Sequence, residues 1–353
     1  MQYGFIAVYV TLVVFVAYAY AQDLQVSVIP KHPKFNANQS IEIVLKYTNK
    51  GSDTVLIYQH YIPKQQLSDP LFEVTLDGTS VPYVGRLVKR RVPTLEDMFE
   101  LKPGRSVSSV VQLSLEYDMT KTGNYLVMFK YDIGPMLSTS ASLLGRNVSI
   151  EMENEVILES PAASLFVEGR SNPRIVDSRG SLTTYSYVGC SASQESSIDS
   201  ALSAAKTYAL NSVHYLTKLI IGQPRYTTWF GTFSTTNLNK VKTHFSNIDS
   251  TFRTKSMSFD CGCTESGVFA YVYANQPYKI YLCPAFWSAP VTGTDSKGGT
   301  IVHETSHFTI VAGTHDYAYG QSSCKSLAKT DPSKAIMNAD NHEYFTENNP
   351  PLS

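Results

Sequence analysis

The hydrophobic pattern of this chain changes near residue 185, and this change limits the possible folds more than any other feature. Before it, polar residues alternate with Val, Ile, Leu and aromatic residues, which is the period-two pattern of β-strands. Asp77-Gly78 lies between two such runs and predicts a hairpin turn. The spacing of the runs predicts an all-β, immunoglobulin-like sandwich over residues 22–168. The runs are 24–29, 41–47, 54–59, 72–76, 110–115, 125–131 and 155–158.

After residue 185, apolar residues recur every three or four positions, which predicts a long amphipathic helix. Its apolar stripe is Ile198, Leu202, Ala205, Ala209, Val213, Leu216 and Ile220. Ser196, with Asp199 three residues later, predicts the first turn of this helix. Strand-like runs at 267–273 and 279–283 precede helical sequence from residue 298 to the end. Residues 186–353 are therefore predicted to form an α+β domain that is mainly helical with a small sheet.

The balance of charge argues against a nucleic-acid partner. The formal net charge is −1, from 29 Lys and Arg against 30 Asp and Glu. Proteins that bind nucleic acid concentrate positive charge on one surface, and no such excess is present. With 43% hydrophobic residues, the chain also has enough apolar side chains for a core, so wholesale disorder is excluded.

The first residues predict export from the cell. Residues 4–21 are uncharged and end in Ala19-Tyr20-Ala21, a small-x-small pattern that is typical of signal-peptide cleavage. We therefore assign residues 1–21 to a signal peptide and expect a secreted, extracellular protein without a membrane partner after cleavage. An uncleaved membrane anchor is the alternative. Sequons at Asn38 and Asn147 agree with export.

The cysteines occur only in the second half of the chain. In an oxidising compartment, five cysteines are expected to form disulfides and to leave one thiol over. They are Cys190, Cys261, Cys263, Cys283 and Cys324.

Two segments resemble places where proteases cut. Residues 169–185 are rich in Gly, Ser, Pro, Thr and Arg, which predicts an exposed linker and activation region between the domains. Lys89-Arg90-Arg91 is interpreted as a solvated strand edge, with a processing site as the alternative. No candidate site residue is found elsewhere in the first half.

Two histidines that flank a glutamate form the strongest candidate site. His303 and His307 are four residues apart, so on a helix their rings point to one side and could bind one Zn²⁺. Glu304 comes directly after the first histidine, where its carboxylate could act as a general base on water without binding the metal. A surface helix with two unrelated histidines is the alternative, and a third ligand decides between them.

Two known arrangements of the third ligand do not fit. One requires Gly and His three and six residues after the second histidine, where this chain has Ile310 and Gly313. Another requires a Glu about twenty residues downstream, and residues 308–342 contain none. Residues 313–320 instead read GTHDYAYG.

Residues 313–320 resemble the G-T-x-D-x-x-Y-G signature of the aspzincin metallopeptidases, the deuterolysin family. Further blocks across residues 186–353 resemble the fungal peptidyl-Lys metalloendopeptidases of that family, including 225–231, 269–273 and 292–296. The resemblance implies a zincin-like catalytic domain with one Zn²⁺. It also implies Asp316 as the third zinc ligand and Tyr319 as the donor to the oxyanion. His315 is the rival third ligand.

Asp340 and Glu343 are the candidate specificity residues. They are three residues apart, so on a helix both carboxylates face one side and could bind an extended ammonium. The resemblance implies that they hold the lysine that comes after the scissile bond, whereas a polar helix face is the alternative. The neighbouring His342 is predicted to lie at the surface.

The resemblance also implies two disulfides, Cys190–Cys261 and Cys263–Cys283. Cys324 departs from the family pattern and is expected to be a buried free thiol or to form an intermolecular bridge.

The leading hypothesis is a secreted zinc endopeptidase, made as a zymogen, that cuts lysine-containing proteins and peptides before lysine. Residues 22–168 would then be a pro-domain that acts as an intramolecular inhibitor. No lysine lies between Lys130 and Lys206, so cleavage of the linker is expected at Arg170, Arg174 or Arg179 by a trypsin-like protease. The alternatives are a broad-specificity, deuterolysin-like endopeptidase and a non-catalytic secreted β-sandwich binding protein with a degenerate peptidase domain.

Overall fold

The computed structural model describes residues 23–37, 39–64, 66–132, 138–139, 157–169, 185–219 and 222–353. The predicted signal peptide, the asparagines of both sequons and all of the linker except its two ends lie outside these residues. The chain divides into two compact units. The first comprises Met1–Gly85 and Pro93–Arg174, and the second comprises Arg86–Val92 and Ile175–Ser353. Residues 86–92, which the sequence pattern places in the N-terminal domain, thus belong to the second unit.

The described part of the first unit consists of strands and short turns. The strands of the chain, numbered in order, are β1 (Leu24–Pro30), β2 (Lys34–Phe35), β3 (Glu42–Asn49), β4 (Val55–Tyr58), β5 (Phe72–Leu76), β6 (Thr79–Ser80), β7 (Arg86–Arg90), β8 (Met98–Leu101), β9 (Ser106–Gln112), β10 (Gly123–Asp132), β11 (Ser138–Thr139), β12 (Ile157–Glu159), β13 (Ala163–Val167), β14 (Ser186–Val188), β15 (Ser258–Asp260), β16 (Val268–Tyr273) and β17 (Lys279–Leu282).

These strands form three sheets in the first unit, in the orders β1-β3-β9, β2-β13-β10-β5-β6 and β11-β4-β8, with β12 also pairing with β10. Alternate side chains of the strands face a common core, which contains Tyr47, Tyr125 and Phe129. The all-β character that the period-two pattern predicts is therefore present in the described residues. The immunoglobulin-like arrangement stays a prediction.

Local turns explain where these strands end. Asp77 and Gly78 have positive φ angles and join β5 to β6, so the hairpin prediction is confirmed. The run predicted at 110–115 is only partly a strand, because β9 ends at Gln112 and a 3-10 turn comes next. The turn forms because the carbonyl of the buried Leu113 accepts hydrogen bonds from the backbone of Glu116 and Tyr117.

The second unit combines helices with a five-stranded sheet of order β14-β15-β17-β16-β7. The helices of the described residues are α1 (Ala192–Thr217), α2 (Pro224–Phe230), α3 (Thr235–Thr254), α4 (Pro284–Ser288), α5 (Lys297–His307), α6 (Gln321–Thr330), α7 (Pro332–Ala335) and α8 (Ala339–Glu347). The prediction of a mainly helical domain with a small sheet is confirmed for this unit.

Helix α1 begins earlier than the sequence pattern predicts. Its N-cap is Ser191, whose side chain accepts from the backbone of Gln194 while the Gln194 side chain accepts from the backbone of Ser191. This reciprocal capping box, and not Ser196 with Asp199, fixes the first turn. The helix ends at Thr217, and Ile220 lies outside the described residues.

Strand β7 is an edge strand of the five-stranded sheet in the second unit. It pairs antiparallel with β16, and Lys89, opposite Ala270, is 0% exposed. The prediction of a strand at Lys89-Arg90-Arg91 is therefore right, but the prediction that this strand edge is solvated is wrong for Lys89. Its burial has a chemical cause in the site described below.

Two disulfides join parts of the second unit, Cys190 to Cys261 and Cys263 to Cys283, which are the pairs that the resemblance implies. The first closes a long separation of 71 residues and constrains the unfolded chain more than the second, which spans 20. Cys324 is a buried free thiol. Among the helices of the described residues, none has the length and apolar character needed to cross a bilayer.

Close packing of α5 requires glycine in its first turn. A Cβ atom on Gly298 would lie 2.8 Å from the Cβ of Ala204 on α1, and one on Gly299 would lie 2.9 Å from Cγ of Glu343 on α8 and closer still to Glu347. Both contacts are shorter than van der Waals packing allows. The two glycines therefore let α5 pack between neighbouring helices.

We predict that Gly299→Ala lowers the free energy of unfolding by about 1–3 kcal/mol, although alanine favours helices, because overpacking outweighs the gain in propensity. Urea unfolding followed by circular dichroism measures this change. Ser203→Ala, at an exposed position of α1, is the control and should change stability by less than about 0.5 kcal/mol. An unchanged or higher stability for Gly299→Ala would contradict the packing explanation.

Candidate metal centre and ammonium pocket

Helix α5 is buried along its whole length, which is unusual for a helix that contains ionisable residues. Ser296 caps its first turn by accepting from the backbone of Gly299 at 2.9 Å. Glu347 in turn accepts from the backbone and hydroxyl of Ser296 at 2.8 and 2.7 Å. This cap fixes the start of the helix, so the positions of the ionisable side chains on its later turns are fixed as well.

The two histidines of α5 direct their Nε2 atoms toward each other. The Nε2 atoms of His303 and His307 lie 3.1 Å apart, as expected for residues one turn apart on one helix face. The Nδ1 atom of His307 donates to the backbone carbonyl of Thr314 at 2.9 Å. In the neutral ring this contact leaves Nε2 without a proton, which is the state that a metal ligand requires.

Asp316 completes the cluster from the loop after α5. Its carboxylate oxygens lie 3.1 Å from Nε2 of His303 and 3.3 Å from Nε2 of His307. Burial alone would raise the pKa of Asp316, but the two histidines hold it well below its usual range. The structure therefore brings together the three residues that the sequence motifs indicate as ligands.

Backbone contacts determine which residue of the loop faces the histidines. The backbone N–H of His315 donates to the carbonyl of Met337 at 2.8 Å, and the carbonyl of His315 accepts from Ala339 at 2.9 Å. Residue 315 is thereby paired with the segment before α8, while the adjacent Asp316 faces α5. His315 is absent from the clusters of possible metal ligands among the described residues.

The donor set fits Zn²⁺. One ligand atom from each of His303, His307 and Asp316 lies within 4.8 Å of the others, and all three residues are buried. Apart from the Nε2 atoms of the two histidines, neither carboxylate oxygen of Asp316 has a hydrogen-bond partner among the described residues. A buried carboxylate that contacts only imidazoles is costly when those rings are neutral, and a cation bound by all three residues would compensate its charge. Two imidazoles and one carboxylate with a fourth position open form a ligand set that zinc enzymes use for catalysis.

Glu304 lies beside this cluster as a buried acid. Both of its carboxylate oxygens are without a hydrogen-bond partner among the described residues. Burial raises the pKa of Glu304 to about 7, against the opposing effect of the histidine charges. A carboxyl with a pKa near neutrality can both accept and donate a proton at neutral pH.

Tyr319 contributes a hydroxyl from the loop before α6. Its hydroxyl donates to the backbone carbonyl of Val88 in β7 at 2.9 Å. The next residue, Gly320, has a φ of 81° and donates its backbone N–H to Oδ2 of Asp340 at 2.9 Å. The loop that carries Tyr319 (the tyrosine loop) is therefore held by a hydrogen bond to Asp340 of α8.

Asp340 and Glu343 form an acidic pocket, and Lys89 of β7 occupies it. The Nζ atom of Lys89 lies 3.1 Å from Asp340 and 2.7 Å from Glu343, while Asp295 is 3.7 Å away. Burial alone would lower the pKa of Lys89, but the three carboxylates raise it well above its ordinary value. The buried side chain is thus an ammonium.

Aromatic rings cover the rest of this ammonium. Lys89 Nζ lies 5.2 Å from the ring centre of Phe269 and 5.9 Å from that of Tyr344, within the range of cation–π attraction. The hydroxyl of Tyr344 also donates to Asp295 at 2.6 Å, which orients that acid. Neither Lys89 nor Asp295 was predicted as a site residue. The basic run at Lys89-Arg90-Arg91 is the only sequence signal for the first.

His303 links the metal cluster to the ammonium pocket. Its Nδ1 atom lies 2.8 Å from Asp340 and 3.3 Å from Glu343, on the side of the ring away from His307. These three residues also meet the distance requirements of a metal cluster. Lys89 already supplies a cation to this second cluster, so of the two clusters the first is the better candidate for a metal.

His342 is buried, so the prediction that it lies at the surface is wrong. Its Nδ1 donates to the carbonyl of Asn338 at 2.9 Å, so in the neutral ring Nε2 accepts from Nδ1 of His244 at 3.0 Å. Phe230 and Phe245 pack against the ring of His342. Burial lowers the pKa of His244 to about 4 and that of His342 to about 3.

The chain is similar to several known proteases. Residues 216–347 match the model of the aspzincin family, described as lysine-specific metallo-endopeptidase. The chain is 41% identical to an extracellular protease of Aeromonas hydrophila over 321 residues, which are 89% of this chain and 90% of that protein. It is 38% identical to a peptidyl-Lys metalloendopeptidase of Grifola frondosa over 335 residues, with coverage of 89% and 90%. A solved zinc peptidase from Grifola frondosa is 55% identical, covers 46% of this chain and 100% of its own, and has a TM-score of 0.45.

We predict that Asp316→Ala weakens zinc affinity by at least about 100-fold, because it removes the only carboxylate of the three-residue cluster. Competition with a chromophoric chelator measures the affinity. His315→Ala is the matched control, since its backbone contacts do not depend on the side chain, and it should keep zinc as the wild type does. Loss of zinc from His315→Ala alone would instead make His315 the third ligand.

The buried pair His244 and His342 predicts that the protein loses stability in acid. In the unfolded chain these two histidines are protonated near pH 6.5, whereas in the folded chain His244 is protonated only near pH 4. The unfolded state therefore binds more protons between these pH values, and stability falls as the pH falls from 6.5 to 4. His244→Asn should reduce the loss between pH 6.5 and pH 4 by roughly 2–3 kcal/mol, measured by urea unfolding. His32→Asn, at an exposed position, should leave the loss unchanged. Equal losses in the His244 variant and the wild type would disprove the assignment.

Proposed function

Because this chain belongs to the aspzincin family of metallo-endopeptidases, we propose that it is a zinc endopeptidase that hydrolyses the peptide bond on the N-terminal side of lysine. The observation that carries the proposal is an ammonium pocket that shares His303 with a metal cluster. An enzyme that selects lysine needs such a pocket, and one that cuts beside the lysine needs it next to the reacting atoms.

The pocket favours lysine over other side chains for electrostatic reasons. Asp340 and Glu343 are both fully buried, so a neutral side chain would leave two desolvated acids without a counter-charge. An arginine side chain is longer and its charge is spread over a plane, whereas the pocket surrounds the single Nζ atom of Lys89. His303 contacts both Asp316 of the metal cluster and Asp340 of the ammonium pocket, so the distance between the two sites is fixed.

His303, His307 and Asp316 would hold the zinc ion. Zn²⁺ bound there would supply a Lewis acid, which polarises a peptide carbonyl and lowers the pKa of water. Asp340, beside Nδ1 of His303, would orient that ring and favour its metal-binding tautomer.

Glu304 would transfer the protons of the reaction, and Tyr319 would stabilise the developing negative charge. Glu304 would accept a proton from the attacking water and later give it to the nitrogen of the leaving lysine. Tyr319 would donate a hydrogen bond to the carbonyl oxygen as negative charge develops on it. The exclusion of bulk water around Glu304 would strengthen both contributions, because charges interact more strongly in a low-dielectric site.

Secretion and latency complete the proposal. Residues 1–21 would direct export, and residues 22–168 would act as an inhibitory pro-domain until the linker 169–185 is cut. One relative carries the name extracellular protease. The two disulfides are also typical of an oxidising compartment. Arg170, Arg174 and Arg179 remain the proposed positions of cleavage by a trypsin-like protease.

Peptide mapping separates lysine specificity from a broad, deuterolysin-like activity. We predict that digestion of a denatured protein by the zinc-loaded enzyme yields new fragments that begin with lysine. A matched pair of peptides that differ only in Lys or Gln after the scissile bond should differ at least about 1000-fold in kcat/KM. Fragments with many different first residues would indicate broad specificity.

We further predict that Glu304→Gln lowers kcat at least about 1000-fold, because glutamine neither accepts nor returns the proton. Zinc content, measured by atomic emission, should stay equal to that of the wild type, since Glu304 is not a ligand. Glu195→Gln on α1 is the control and should keep full activity. A wild type that contains zinc but stays inactive after the linker 169–185 has been cut would favour the alternative of a non-catalytic binding protein.

A further inference from the structure

The segment Arg86–Val92 is bound in the second unit as an extended peptide would be. Val88 lies opposite Tyr271 and Lys89 opposite Ala270 in the antiparallel pairing of β7 with β16. The backbone N–H of Arg91 also donates to the carbonyl of Gly267 at 3.0 Å. Addition of a strand to a sheet edge is a common way to hold a peptide by its backbone while pockets select its side chains.

The side chain selected here is a lysine. The ammonium of Lys89 contacts Asp340 and Glu343, which are the residues that the proposed function assigns to substrate lysine. A fully desolvated ammonium is tolerated only when buried carboxylates compensate it, and two carboxylates do so here. Lys89 therefore occupies the pocket as a substrate side chain would.

The peptide bond before Lys89 lies at the catalytic tyrosine. The carbonyl that accepts the hydrogen bond from Tyr319 is that of Val88, the residue immediately before the lysine. Cleavage on the N-terminal side of lysine would break the bond between Val88 and Lys89. The pocket contact and the tyrosine contact thus identify the same bond independently of each other.

We propose that Val88–Lys89 is an internal cleavage site that the chain hydrolyses with its own active site. This inference rests on the proposed function. The oxygen of water forms a bond to the carbonyl carbon of Val88, and the bond from that carbon to the nitrogen of Lys89 breaks, with its electron pair going to nitrogen. Both water protons end on that nitrogen, one of them through Glu304, which leaves a carboxylate on Val88 and an ammonium on Lys89.

Internal cleavage gives the chain a processing step that does not depend on the linker. Residues 131–205 contain no lysine, so the proposed specificity excludes self-cleavage of residues 169–185. A cut before Lys89 needs no second protease. It leaves Lys89 as a new N-terminus that is still continuous with residues 90–353 until the linker is cut.

The experiment monitors the full chain after zinc is added to protein purified with a chelator. Intact mass and N-terminal sequencing should show a new terminus that begins Lys89-Arg90-Arg91. Its first-order rate constant should not change over a 50-fold dilution, because the bond is already bound within the same molecule. Glu304→Gln should remain uncut, and Lys89→Ala should be cut between residues 88 and 89 at least about 100-fold more slowly.

Two controls test whether a slower cut in Lys89→Ala has another cause, namely the loss of any lysine or misfolding of the variant. Lys102→Ala, which changes an exposed lysine outside the segment, should be cut like the wild type. If Lys89→Ala cleaves a separate lysine peptide after the linker 169–185 has been cut, this variant is folded. If Lys89→Ala does not fold, Lys89→Arg, which keeps the positive charge, is tested in its place.

The outcomes are distinct. If the wild type cleaves the lysine peptide while the Val88–Lys89 bond stays intact, the internal site is wrong and the proposed function stands. A rate constant that rises in proportion to protein concentration also overturns it, because the cut is then made between molecules. If the wild type does not cleave the lysine peptide even after the linker 169–185 has been cut, the proposed function fails and the internal site fails with it.

Discussion

The burial of His303 between two groups of carboxylates is the constraint on which the second unit depends. Its Nε2 faces Asp316 and its Nδ1 faces Asp340 and Glu343, and all four residues are buried. Buried negative charge at this density is unfavourable unless cations are present. On one side Lys89 supplies a cation, and on the other the ligand geometry fits zinc. In the proposed function, the lysine pocket and the zinc site would therefore both contact the ring of His303.

The surrounding packing serves to hold that imidazole in place. Gly298 and Gly299 allow close approach of α5 to its neighbours, and Ser296 and Glu347 fix its first turn. Gly320 connects the tyrosine loop to Asp340 through its backbone. A catalytic group must be positioned to within a fraction of an ångström, and rigid elements achieve this better than exposed loops.

Much of the architecture could be predicted because local patterns persist in the folded chain. The period-two runs correspond to strands, and the Asp77-Gly78 turn results from the backbone freedom of its residues. The start of α1 was misplaced because two capping signals lie five residues apart. The reciprocal bonds of Ser191 and Gln194 decide between them. The burial of His342 was missed because a histidine at a neutral, paired position leaves no signal in the pattern.

The sequence by itself determined that His303, His307 and Glu304 share a region of one helix, since residue spacing sets direction on a helix. The motif at residues 313–320 added Asp316 and Tyr319 through its resemblance to a known family. Only the tertiary structure decided that Lys89, more than two hundred residues from Glu343, fills the acidic pocket and that Tyr319 contacts the carbonyl before it. Strand pairing between distant segments brings these groups together, and no local pattern along the chain specifies which sheet edge a strand will join.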